Sequence, residues 1–160
     1  MTEQGQPRTD WDERPIEPLQ DPRDAPAISH AEELRQRWRS MMGSDGFGKH
    51  SLWVMWFDDI GRQLPLVMPI DDIESGFPSD WMENFVMIVN TAVEFGAASV
   101  AFALSRPGPA AIGADDRELA GQLIRGTNRA RQSGELVLEV WPLHLATANS
   151  VRAISADDLV

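Results

Sequence analysis

The stretch Ala98–Asp116, ASVAFALSRPGPAAIGADD, decides the fold. Its first half alternates Val100, Phe102 and Leu104 with Ser99, Ala101 and Ala103. That period of two predicts a strand over Ser99–Leu104, with a small-residue face that lets a helix approach closely. Pro107-Gly108-Pro109 then breaks the strand, because proline removes a backbone donor and glycine frees the turn. Asp115, followed three residues on by Glu118, predicts a capped helix running to about Gln132. Leu119, Leu123, Ile124 and Thr127 face inward on it, and Gly134 stops it.

Working outward, the neighbouring segments supply the rest of a sheet. Leu52–Asp58 is apolar at alternate positions on both sides, so this strand is expected to be covered on both faces. Asp59–Arg62 is a turn, and Gln63–Ile70 returns as a second strand, which Pro65 and Pro69 push to an edge. A helix is predicted from Trp81 to Phe95, opened by Asp80 with Glu83 and ended by Gly96, central to the core. Upstream, Ser29 with Glu32 opens a first helix carrying Leu34, Trp38 and Met41 or Met42, and Gly43 closes it. Downstream, Leu136–Leu145 reads as a strand, Ala148-Asn149-Ser150 as a turn and Val151–Ile154 as a last short strand. The order α-ββ-α-β-α-β-β predicts an α/β three-layer sandwich with a mixed sheet and helices on both faces. Residues 28–160 form that single domain. Residues 1–27, rich in proline and carboxylates and poor in apolar surface, are expected to be a disordered acidic tail.

Composition narrows the function classes. The chain has 160 residues, no cysteine and a formal net charge of −11. Thiolate metal sites, disulfides and cysteine nucleophiles are therefore excluded. The acidic balance argues against a nucleic-acid partner, which needs clustered Lys and Arg, and against an anionic membrane surface. No apolar run is long enough to span a bilayer. The N-terminus lacks the apolar core of a signal peptide, so a cytoplasmic location is expected.

The loop Leu104-Ser105-Arg106-Pro107-Gly108, the downstream Asp116 and the later pair Leu143-His144 carry a resemblance. With the order of elements, they make the chain from Leu52 to Ile154 similar to the JAB/RadC group of bacterial proteins, which is related in fold to the deaminases. In that group the strand ends in a His-x-His-Pro-Ser-Gly loop, an Asp follows at the next helix start, and an Asp-His pair lies on a later strand. The resemblance places Leu104 and Arg106 at the two histidines, Pro107 at the proline, Asp116 at the third ligand and Leu143-His144 at the Asp-His pair. A leucine cannot ligate a metal and a guanidinium repels one, so the metal site is expected to be erased, with no cofactor and no catalytic residue.

Arg106 and Asp116 remain as candidate binding residues. The guanidinium is expected to fill the vacated cation position and pair with Asp116, or else to accept an anionic ligand beside the helix N-terminus. Trp11, Trp38 and Leu34 are candidate anchors for a protein partner or for self-association. His144 is expected to be a core or edge residue with a satisfied hydrogen bond. The expected function is a non-catalytic protein-binding or regulatory domain. The alternative is a divalent-metal hydrolase rebuilt around Asp58, Asp71 and Asp116.

Overall fold

The computed structural model describes residues 15–16, 18–43, 48–73, 75–148 and 150–159. Helix α1 (Ala31–Met42) precedes a hairpin of β1 (Ser51–Phe57) and β2 (Gln63–Asp71). Helix α2 (Trp81–Asn90) runs on as a 3₁₀ turn over Thr91–Phe95 and leads to β3 (Ser99–Ser105). Helix α3 (Ala114–Ser133) returns the chain to β4 (Glu139–Val140), β5 (His144–Ala146) and β6 (Val151–Ala153).

The sheet is mixed and open, in the order β2-β1-β3-β5-β6, with β4 also on β3. β1 is antiparallel to both β2 and β3, β3 is parallel to β4 and β5, and β5 turns back into β6. This is the expected α/β fold. β2 lies at an edge, where Pro65 and Pro69 leave no partner strand short of a donor.

The strand expected over Leu136–Leu145 is broken in two. β3 pairs Ser99 with Glu139 and Val100 with Val140, then Ala103 with His144, so Trp141–Leu143 oppose only Ala101 and Phe102. One extra residue is accommodated there as a bulge. Pro142 has no N–H for a continuous ladder, while the Trp141 indole donates to Ser99 Oγ at 2.9 Å.

Alternation along β1 and β3 divides the core into two clusters. Leu52, Val54, Trp56, Val100, Phe102 and Leu104 pack with Phe85, Val86 and Val89 of α2 and Leu119, Ala120 and Leu123 of α3. Met55, Phe57, Ala101 and Ala103 pack with Leu34, Trp38 and Met42 of α1. Because successive strand residues point to opposite faces, α1 covers one face and α2 with α3 the other. On that face α1 lies nearest β5 and β6, and Ala101 and Ala103 belong to the cluster it covers.

Three caps differ in detail from expectation. Ser29 gives both its amide and its hydroxyl to Glu33, not Glu32, and Glu32 instead holds Arg35. Asp80 makes no side-chain cap. Gly113 caps α3, its amide held at 2.8 Å by the Asp116 carboxylate.

The tail boundary moves as well. Residues 1–14 and 17 lie outside the described residues, but a turn closes at Asp21–Asp24 and Ala25 is buried. Ile28 is also buried, and its amide donates to Gly61 O at 2.8 Å. Order therefore reaches back before residue 28.

Candidate functional site

At the C-terminal end of β3 the chain leaves the sheet between two neighbours. Arg106 donates its backbone N–H to Ala146 O at 3.0 Å, and Ala148 donates to Gly108 O at 3.2 Å. The β3–α3 loop is thereby strapped to the β5–β6 turn. Leu104 stays in the core and Arg106, two residues on, is the first side chain past the sheet edge.

Arg106 is a planar fork with five N–H donors, and each has an acceptor. Nε reaches Asp116 Oδ1 and Nη2 reaches Asp116 Oδ2, both at 2.8 Å, a bidentate pair. Nη2 also donates to Ala111 O at 2.8 Å, and Nη1 donates to Pro107 O at 3.0 Å and Pro109 O at 2.8 Å. The guanidinium is therefore the hub around which the loop folds. Both side chains are largely buried, at 14% and 7% exposure.

The electrostatics follow from that geometry. Burial pushes the Asp116 carboxyl up, but the Arg106 hydrogen bonds, the Gly113 amide and the charges of Arg106 and His50 outweigh it, so it sits below the ordinary carboxylate value. Hydrogen bonding to Asp116 holds the Arg106 guanidinium above its usual value. Beside the pair is a cleft of about 350 Å³ bordered by His50, Ser105, Asp115, Leu119 and Leu145. No N–H of Arg106 is left to meet an anion in it. Among the described residues, no three His, Asp or Glu side chains are grouped as a metal would require.

His144, placed by the resemblance at the Asp-His pair, lies on the wrong face for this cleft. It pairs with Ala103, on the α1 side of the sheet, whereas its neighbour Leu145 borders the cleft. Its Nδ1 meets Pro142 O at 3.0 Å, and its buried Nε2 has no partner. The expected satisfied histidine is thus satisfied on one nitrogen only. Burial pushes it down to about 4, although the Pro142 hydrogen bond opposes this.

The alternative three-carboxylate site does not assemble. Ser51 pairs with Asp71 at one end of the hairpin, and Asp58 follows Phe57 at the other. A strand of this length separates the two by roughly 20 Å. Asp71 is engaged by Ser51 Oγ and Lys49, and Asp58 accepts the amides of Ile60 and Arg62.

The candidate interface residues also need correction. Leu34 and Trp38 are both 0% exposed, packed beneath α1 against β1 and β3, so they build the core and offer a partner no surface. Trp11 lies outside the described residues. Leu19, Ile60 and Leu66 are exposed singly on other parts of the fold, but several of the apolar side chains left in solvent fall close together in the chain. Met87 is 67% exposed, Ile88 48% and Phe95 75%, on α2 and the turn after it, and Val137 is 63% exposed nearby. The sequence carried a signal for this: a helix apolar on almost every side exceeds what one sheet face can cover. Compared with known proteins, the chain matches no protein-family model and no curated protein sequence.

Proposed function

We propose that the chain is a non-catalytic protein-binding or regulatory domain acting in the cytoplasm, on a JAB/RadC-like scaffold whose cation position is filled by Arg106. The observation that carries this reading is the apolar surface of α2 and the turn after it, where Met87, Ile88 and Phe95 stand in water. Exposed large apolar groups gathered on one element mark contact surfaces. The saturated Arg106–Asp116 pair supports the non-catalytic part, since it leaves the guanidinium no free donor for a ligand. No helix among the described residues is long and apolar enough to cross a membrane, which is compatible with the location proposed.

In-cell photo-crosslinking tests the reading. A photoreactive residue at Phe95 is expected to give a discrete adduct with another protein, and the same residue at the exposed Glu118 none. Absence of an adduct from Phe95, or equal adducts from both positions, would remove the basis for a binding role.

A further inference from the structure

Helices α2 and α3 run side by side in the same direction, with Met82 beside Gly126 and Asn90 beside Glu135. Between them lies an open groove of about 570 Å³. Its floor is Met82, Val86, Gly126 and Ala130, and Met87 and Asn90 form one wall. Asn90 also fixes the groove's far end. Its amide donates to Glu135 O and its carbonyl accepts the Val137 amide, which sets Val137 outward beyond the groove.

Gly126 matters because a Cβ there would run into the Met82 thioether, so any larger residue must push that side chain aside. The floor residues recur at i and i+4 on each helix, a spacing that a third helix can match. From Met82 to Asn90 the groove spans roughly 12 Å, a little over two helical turns. Methionine adapts to different apolar partners.

The rim says what kind of helix fits. Glu83 and Glu135 border the groove, both exposed, against Arg129. A second copy of this chain, at −11, brings like charge to that rim. So does the chain's own residues 1–14, with Glu3, Asp10, Asp12 and Glu13 against Arg8 and Arg14.

We propose that the α2–α3 groove receives a short amphipathic helix of a protein partner, anchored by apolar side chains at i and i+4 and flanked by Lys or Arg. This rests on the protein-binding reading and names the partner's chemistry. Helix-in-groove docking of this kind takes its affinity from the apolar face and its selectivity from the charged flanks.

The probe is a designed helical peptide of about 18 residues with leucines at helical spacing and lysine flanks, titrated into the full-length protein by NMR and fluorescence anisotropy. A glutamate-flanked analogue and a scrambled isomer serve as comparisons. The lysine peptide is expected to bind at least tenfold tighter than either, with shifts at Met87, Gly126 and Val137. Met87→Glu, at an exposed helical position, is expected to weaken it tenfold or more, and thermal denaturation checks that the variant folds. Gly126→Ala, which displaces Met82 into the groove, is a second variant expected to weaken binding. No binding, shifts elsewhere, equal affinity for the glutamate peptide, or a dimer that Met87→Glu dissociates would each overturn the proposal. If the Phe95 adduct still forms in cells after such a result, the binding role stands and only the basic helix is wrong. If the adduct is absent too, both fail.

Discussion

Gly61, in the β1–β2 turn, accepts the Ile28 amide at 2.8 Å and sits at φ 87°, with Ile28 pressed against its Cα. A Cβ at Gly61 would overlap the Ile28 carbonyl oxygen. The contact fastens the segment before α1 to the hairpin, and it needs glycine both for the left-handed backbone and for the close approach. Gly61→Ala is expected to cost about 2 kcal/mol or more. Urea denaturation would read this as a lower midpoint at unchanged slope. Stability equal to wild type would show that the segment yields without loss.

Removing one side of the Arg106–Asp116 pair leaves the other side buried and unpaired. Arg106→Ala is expected to cost about 3 kcal/mol, because three loop carbonyls lose their donor together with the carboxylate. Arg106→Lys cannot rebuild the fork and is expected to recover only a minor part. In a double-mutant cycle with Asp116→Asn, the two losses are expected to sum to more than the loss in the double variant. Additive losses would mean that the pair contributes no coupling.

Acid should loosen the fold in two windows. His144 is neutral in the fold down to about pH 4, whereas the unfolded chain takes up that proton near 6.5. The unfolded state therefore binds more protons between those values, and stability is full above pH 6.5 and falls as pH drops toward 4. Glu32 and Arg35 of α1 are the charged groups that act on His144 in the fold. Asp116, held below its ordinary value, adds a second loss below about pH 4, as its carboxylate takes up a proton. In His144→Leu the slope between pH 6.5 and 4 is expected to flatten while the lower one remains. An unchanged slope in that variant would assign the titration to another group.

Truncation separates tail from core. Deleting residues 1–14 is expected to leave the melting temperature within a few degrees of wild type, since the contacts made by Ala25, Ile28 and α1 remain. Deleting residues 1–43 removes Leu34, Trp38 and Met42 and uncovers Met55 and Phe57, so it is expected to abolish cooperative unfolding. Trp38→Ala alone should cost about 3–5 kcal/mol. A cooperative transition in the 1–43 deletion would show that α1 is dispensable to the sheet.

How legible each feature was depended on its range. β1 could be read from its unbroken apolar run, β3 from its alternation, and β2 as an edge from Pro65 and Pro69, because one strand's own residues carry those signals. The break at Trp141–Leu143 could not, since a bulge is defined by what lies opposite it. Trp38 and Met87 show the same limit. Both are large, apolar and on helices, and only the position of the sheet tells which one is buried.

By itself the sequence determined most of the succession of helices and strands, the α/β class and the absence of thiol chemistry. Those follow from local periodicity and residue chemistry. Only the tertiary structure decided that Arg106 exhausts its donors on its own loop, that His144 faces away from that loop, that Asp58 and Asp71 lie at opposite ends of a hairpin, and that α2 keeps an apolar side in water. Each of these depends on which face or end of the sheet a residue meets, and that is set by strand order and register between segments far apart in the chain.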